Sequence, residues 1–130
     1  MPQIRDPSRT VADILDDGIA HQYERWPYPS PAIGLNRAPW GDPSLFGGLY
    51  WPAGGPTAPD ILVAGCGSVE APLLASRNPH ARVVGIDISA ASLLHAERLG
   101  AEHGLDNLRL VRLPLEEAAS LHQSFDLVVC

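Results

Sequence analysis

A glycine-rich turn and a carboxylate twenty residues after it are the residues whose types and spacing best suit chemistry. Gly65-Cys66-Gly67 follows the apolar run at 61–64, and Asp87 ends the next apolar run. Glycine lets a ligand lie against the backbone, and a helix that begins there presents free N–H groups. In such folds an acid in this position accepts hydrogen bonds from both ribose hydroxyls of an adenosine. The order of turn, helix, strand and acid therefore predicts a nucleoside-cofactor site.

The residue three positions after Gly67 bears on which cofactor this is. A dinucleotide fingerprint places glycine or alanine there, and this sequence has Glu70. A glutamate close to the turn would repel a pyrophosphate. S-adenosylmethionine carries a sulfonium, an ammonium and one carboxylate, and it has no phosphate to repel. The charges favour S-adenosylmethionine, with an NAD(P)-binding oxidoreductase domain as the alternative.

These residues lie within an alternation of apolar runs and helical patterns that begins near residue 60. In chain order we predict strand 61–64, helix 68–77, strand 82–88, helix 89–103, strand 107–113, short helix 115–121 and strand 125–130. Ser89 is the expected N-cap of the longest helix and Gly104 its stop. The predicted buried stripe of that helix is Leu93, Leu94, Ala96 and Leu99. The alternation implies an α/β fold with a Rossmann-like parallel sheet, helices on both faces and about four strands.

The first 59 residues have a different character. Residues 8–26 have helical spacing, with Thr10 or Ser8 as N-cap. Residues 27–59 contain eight prolines, which prevent long regular elements. Aromatic residues such as Trp40 and Trp51 make this stretch too apolar for a free linker. We therefore divide the chain into two parts. Residues 1–59 are an N-terminal helix with a Pro/Gly-rich lid or linker, and residues 60–130 are the N-terminal half of an enzyme domain.

Composition narrows the classes of partner. The net charge of −6 and the scattering of nine basic residues disfavour a broad grip on nucleic acid. No apolar run approaches the roughly 20 residues that span a bilayer. The five histidines show no ligand spacing, so we expect no metal. Two cysteines and no secretory signal predict reduced thiols in the cytoplasm.

Four segments together resemble one enzyme family. Gly65-Cys66-Gly67-Ser68 looks like motif I of class I S-adenosylmethionine-dependent methyltransferases, and Gly85-Ile86-Asp87-Ile88-Ser89 resembles motif II. Phe125-Asp126-Leu127-Val128-Val129 is similar to the fourth strand of that fold. Upstream, Gln22-Tyr23-Glu24-Arg25-Trp26-Pro27-Tyr28-Pro29 resembles the Q-Y-E-x-x-P-Y-P signature of a bacterial subgroup that sometimes carries tetratricopeptide repeats.

The resemblance implies a set of cofactor-binding residues. Leu113-Pro114 stands where many members have Gly-Asp, and Leu113-Pro114-Leu115-Glu116 fits the Leu-Pro-x-Glu pattern of the subgroup. Adenine would therefore be held mainly by apolar contact and backbone groups. Tyr23 and Tyr28 could close over the methionine end of the cofactor or pack the loop onto the sheet, and both interpretations stay open. The cofactor-binding set implied is Gly65, Cys66, Gly67, Ser68, Asp87, Ile88, Leu113, Pro114, Tyr23 and Tyr28.

Two departures and the last strand qualify the resemblance. Val63 and Val69 stand where many members have an acid and a third glycine, which keeps open a non-catalytic binding or scaffold protein. An apolar strand at 125–130 would leave one edge unpaired. We therefore expect a chain truncated after its fourth strand and inactive by itself. Its catalytic residues and oligomeric state are unreadable, and the methyl acceptor is a small molecule or a protein.

Overall fold

The strands that the structure describes form one parallel sheet. The computed structural model describes residues 10, 12–13, 18–25, 35 and 51–130. Among these, the elements in chain order are α1 (Gly18–Arg25), β1 (Asp60–Ala64), α2 (Glu70–Arg77), β2 (Arg82–Asp87), α3 (Ala90–Glu102), β3 (Leu108–Arg112), a 3-10 helix (Leu115–Leu121) and β4 (Leu127–Val129). The helix predicted at 115–121 is therefore present, in its tighter 3-10 form.

The strand order is β3-β2-β1-β4, and every neighbouring pair is parallel. In the register, Ala64 pairs with Ile86 and Asp87 pairs with Arg112. Because the strands run the same way, the residues that follow β1, β2 and β3 emerge at one edge of the sheet. The predicted α/β fold with a Rossmann-like parallel sheet is confirmed.

Both faces of the sheet are covered, because successive side chains along a strand point to opposite faces. On one face Ile61, Val63 and Val83 pack with residues of α2 and with Leu93 of α3. On the other face four residues pack with side chains of the 3-10 helix and its flanks, and these four are Leu62, Ala64, Val84 and Ile86. The layers explain why the strand sequences are apolar almost throughout rather than alternating.

The observed helix caps agree with those predicted from the sequence, whereas two other predictions about the helices were wrong. The Ser89 side chain accepts the Ser92 N–H at 3.1 Å, so the predicted N-cap of α3 is confirmed. Thr10 Oγ1 accepts the Asp13 N–H at 3.2 Å, as expected of an N-cap. The placement of Leu94 in the buried stripe was wrong, because its side chain is 51% exposed while Leu93 is 7% exposed. Neighbouring residues on a helix are about 100° apart, so one narrow face cannot hold both. Helix α2 begins at Glu70 rather than at residue 68.

Polar contacts tie the amino ends of the strands together. Arg82 donates two hydrogen bonds of 2.6 Å to the Asp60 carboxylate. Asp126 accepts the Asp60 N–H at 2.8 Å and donates its own N–H to the Asp60 carbonyl. This end of β1 lies about 13 Å from its carboxyl end, since a strand rises roughly 3.3 Å per residue.

In the part of the chain that the structure describes, every helix is too short or too polar to cross a bilayer.

Candidate functional site

The glycine turn follows β1 directly and is bonded to the neighbouring strand. Gly65 and Gly67 have φ angles of 69° and 56°, a left-handed region that side chains with a Cβ rarely adopt. Between them, the Cys66 N–H donates to the Ile86 carbonyl at 2.9 Å. Among the described residues, no atom lies within 4 Å of a Cβ added at Gly65. Within that part of the chain, Gly65 therefore exposes its backbone, while Cys66 and Gly67 are buried.

The Asp87 carboxylate lies against this turn, as the spacing predicted. Its Oδ2 accepts the Gly67 N–H at 2.8 Å, and its Oδ1 accepts the Ser89 N–H at 2.9 Å. One carboxylate thereby joins the turn after β1 to the start of α3. The glycine turn and the Asp87 carboxylate, whose bonded residues are twenty positions apart in the sequence, are joined by a direct hydrogen bond.

A cavity of about 300 Å³ opens beside the turn and the carboxylate. Its described lining residues come from the ends of β1, β2 and β3, the first turns of α3 and the 3-10 helix, and they are Gly65, Asp87, Ile88, Ser92, Leu113, Leu115 and Glu116. Asp87 contributes a carboxylate, while Ile88 and Leu113 contribute apolar walls. A carboxylate together with apolar lining residues suits a ribose with an attached flat base.

The predicted site residues fall into three groups. Gly65, Asp87, Ile88 and Leu113 line the cavity. The side chains of Cys66, Ser68 and Pro114 are buried, and Gly67 is held by Asp87. The backbone of Tyr23 lies in α1, and its side chain and the whole of Tyr28 lie outside the described residues. The binding roles of all ten residues stay predictions.

Three lining residues were missed by the sequence analysis. Ser92 lies in the first turn of α3. The sequence there was interpreted only as the start of a helix capped by Ser89, so no ligand contact was predicted. Leu115 and Glu116 begin the 3-10 helix, and the sequence placed them in the Leu113-Pro114-Leu115-Glu116 segment but not in the predicted binding set. The signal that could have found Leu115 and Glu116 is their position shortly after β3, and that for Ser92 is its position shortly after β2, since the segments that follow the carboxyl ends of parallel strands surround ligand sites in this fold.

Burial changes the pKa of two titratable groups at the turn, those of Cys66 and Glu70. It raises the pKa of the Cys66 thiol to about 12, and the negative charge of Asp87 adds to this effect. It also raises the pKa of the Glu70 carboxyl, which stands in the first turn of α2. Among the described residues no group of three or more His, Cys, Asp or Glu side chains is placed to hold a metal ion.

Cys66 is expected to resist alkylation in the folded protein. With a pKa of about 12, roughly one thiol in ten thousand is ionised at pH 8, and only the thiolate is nucleophilic. The reactive fraction rises only as the pH approaches 12. Iodoacetamide at pH 8 followed by peptide mass spectrometry should modify the exposed Cys130 and leave Cys66 unmodified until urea unfolds the chain. Equal labelling of both cysteines in the native protein would contradict this burial.

A family model described as "Methyltransferase domain" matches residues 61–130, which is more than half of the chain. The match begins at β1 and includes the glycine turn, Asp87 and all of the described cavity lining. The segment that carries the candidate site is therefore also the segment that carries the family likeness.

Individual proteins are also similar to this chain, one in sequence and two in fold. An uncharacterized protein of Synechococcus sp. is 32% identical over 128 residues, covering 92% of this chain and 30% of the relative. The structure of PKMT2 from Rickettsia typhi in complex with AdoHcy has a TM-score of 0.54 at 18% identity and covers 80% of this chain and 20% of that one. The N-terminal domain of EvdMO1, solved with SAH and D-fucose, has a TM-score of 0.58 at 23% identity, covering 97% and 55%. The chain spans less than a third of the Synechococcus relative.

Proposed function

The chain belongs to the methyltransferase domain family, and from that membership we propose that it binds S-adenosylmethionine in the cavity beside Gly65 and Asp87 and serves methyl transfer to an acceptor. The observation that carries the proposal is the 2.8 Å hydrogen bond between the Gly67 N–H and Asp87 Oδ2. It brings the backbone of the turn and the carboxylate to the same wall of one cavity.

The hydrogen-bonding capacity of Asp87 suits a ribose. A carboxylate has about four acceptor positions. The N–H groups of Gly67 and Ser89 occupy two of them, one on each oxygen. Two positions are left, and a ribose has two hydroxyl donors. The backbone bonds orient the carboxylate before the cofactor arrives, which lowers the ordering cost of binding.

The adenine side of the cavity is apolar. Ile88, Leu113 and Leu115 line it. The Leu113 N–H donates to the Asp87 carbonyl at 3.0 Å, and Pro114 has no N–H to donate. Neither residue offers a free backbone donor to the base, so we propose that adenine is held here mainly by apolar contact.

The charges around the cavity favour a sulfonium cofactor over a dinucleotide. The charged side chains among the described lining residues are Asp87 and Glu116, and both are carboxylates. Glu70 adds a third carboxylate near the turn. A pyrophosphate requires cations or open amide groups, whereas the ammonium and sulfonium of S-adenosylmethionine are attracted to carboxylates.

Methyl transfer makes modest demands on the protein. Held beside Gly65 and Asp87, S-adenosylmethionine would supply the methyl group from its sulfonium and leave as S-adenosylhomocysteine, and any proton lost by the acceptor would pass to solvent. Alignment of donor and acceptor is the main contribution of the protein.

We propose a small molecule or a protein side chain as acceptor, because a net charge of −6 disfavours nucleic acid. Two cysteines without a disulfide support a cytoplasmic location.

Ligand-dependent thermal stability tests the proposal. A ligand at about 100 times its Kd stabilises the folded state by about 2.7 kcal/mol, which for a chain of this size raises Tm by roughly 10 °C. We expect S-adenosylhomocysteine to produce such a shift and NADH at the same concentration to produce none. A larger shift with NADH would favour the oxidoreductase alternative, and no shift with either would favour a scaffold.

A further inference from the structure

We propose that Glu24 is a positioning residue of the cofactor site, holding the backbone that follows Asp87 without lining the cavity itself. The inference deepens the proposed function and rests on it. Glu24 lies in α1, within the Gln22-Tyr23-Glu24 segment, and it is sixty-three residues before Asp87 in the chain. Its side chain nevertheless contacts the segment at 90–91, directly after the cavity residues Asp87 and Ile88.

The first contact is with the N-terminus of α3. Glu24 Oε1 accepts the Ala90 N–H at 2.5 Å, and Oε2 accepts the Ala91 N–H at 3.2 Å. The first N–H groups of a helix have no partner within the helix, and a negative charge there is favoured by the helix dipole. The Ser89 side chain takes the next of these donors, the N–H of Ser92. A side chain from another element thus completes the cap that Ser89 begins.

The second contact is with Arg112 at the end of β3. The Arg112 Nε donates to the Ile88 carbonyl at 2.9 Å, and one terminal nitrogen lies 3.6 Å from Glu24 Oε1. Arg112 is also the register partner of Asp87. The Arg112 guanidinium therefore links the carbonyl of Ile88, which lines the cavity, to the carboxylate of Glu24, which caps α3.

Together these bonds fix the wall that would hold the nucleoside. The Asp87 carbonyl is bonded to Leu113 and its carboxylate to Ser89, while the Ile88 carbonyl is bonded to Arg112. Glu24 restrains the residues that follow. Any rotation of the 88–91 backbone would move Ile88 and turn the carboxylate of Asp87, so removing Glu24 should loosen the site without removing a contact to the ligand.

The test measures S-adenosylhomocysteine affinity by calorimetry, together with amide hydrogen exchange, well below the Tm of each variant. Glu24→Ala loses two charge-assisted hydrogen bonds and the ion pair, and we expect Kd to rise roughly fivefold. Glu24→Gln keeps one acceptor oxygen, so its Kd should be intermediate. Exchange at the Ala90 and Ala91 amides should accelerate in the order wild type, Glu24→Gln, Glu24→Ala.

Arg82→Ala provides the matched control. It also breaks an Arg–carboxylate pair between two elements, but at the opposite end of the sheet. We expect it to leave both Kd and the exchange of Ala90 and Ala91 unchanged. Equal Kd values for Glu24→Ala and wild type, or unchanged exchange at the two amides, would overturn the inference. If the wild type does not bind S-adenosylhomocysteine, the proposed function fails, and the exchange rates alone then decide whether Glu24 holds this segment.

Discussion

Asp87→Ala is expected to weaken the binding of S-adenosylhomocysteine at least tenfold, or about 1.4 kcal/mol. The substitution removes the two acceptor positions assigned to the ribose hydroxyls. It also releases the Gly67 and Ser89 N–H groups, whose hydrogen bonds the carboxylate accepts, so the turn loses one of its two hydrogen bonds to the end of β2 and keeps the bond from the Cys66 N–H to the Ile86 carbonyl. Loss of affinity should therefore be accompanied by a lower free energy of unfolding, and isothermal titration calorimetry with urea denaturation measures both.

Two further variants test whether the loss of affinity depends on the carboxylate of Asp87. Asp87→Asn keeps the shape but turns one acceptor oxygen into an NH₂ donor, which cannot accept from Gly67, Ser89 or a hydroxyl. It should lose nearly as much affinity as Asp87→Ala. Asp60→Ala removes a carboxylate from the far end of the sheet, where it contacts Arg82, and should leave Kd unchanged. An unaltered affinity in both Asp87 variants would count against the ribose assignment.

Gly85→Ala is expected to destabilise the fold by roughly 1–3 kcal/mol through overpacking. A Cβ at this position of β2 would lie 2.8 Å from the Ala71 Cβ, 2.9 Å from Leu110 Cδ2 and 3.0 Å from Cys66 Sγ. Leu110 could turn away, but Ala71 is fixed to the backbone of α2 and could move only with that helix. Urea denaturation should show a lower midpoint with an unchanged slope.

Gly18→Ala is the matched control, because no atom of the described residues lies within 4 Å of a Cβ at Gly18. Gly18 begins α1, where alanine has the better helix propensity, so this variant should be as stable as the wild type or slightly more stable. The steric account is wrong if Gly85→Ala unfolds at the wild-type midpoint.

The features that could be predicted from the sequence are those encoded by local spacing. Apolar runs separated by helical patterns predicted the parallel sheet, and the Ser89 cap followed from residue type at one position. The meeting of Asp87 with Gly67 was predicted because the carboxyl ends of adjacent parallel strands lie at one edge of a sheet. Each inference needed only the order of elements along the chain.

The features that were missed depend on contacts between distant segments. Nothing near Gly85 in sequence shows that Ala71 of α2 packs against it. The cap that Glu24 provides for α3 joins residues sixty-six positions apart, and no local pattern encodes it. Leu94 has the same residue type as its buried neighbour, and only the rotation of α3 on the sheet decides which of the two is covered.

The bacterial subgroup suggested by the Q-Y-E-x-x-P-Y-P signature stays a prediction, as do the roles of Tyr23 and Tyr28. Glu24 belongs to that signature, and its contacts with Ala90 and Arg112 lie next to the candidate site. If both tyrosines close over the methionine end of the cofactor, the signature would fix one end of the site and cover the other.

A crystal structure of the complex with S-adenosylhomocysteine tests the central claim most directly. We predict both ribose hydroxyls within about 3 Å of the Asp87 carboxylate and the adenine packed against Ile88 and Leu113. A nucleoside bound elsewhere, or one lying in the cavity with its hydroxyls turned away from that carboxylate, would contradict the account.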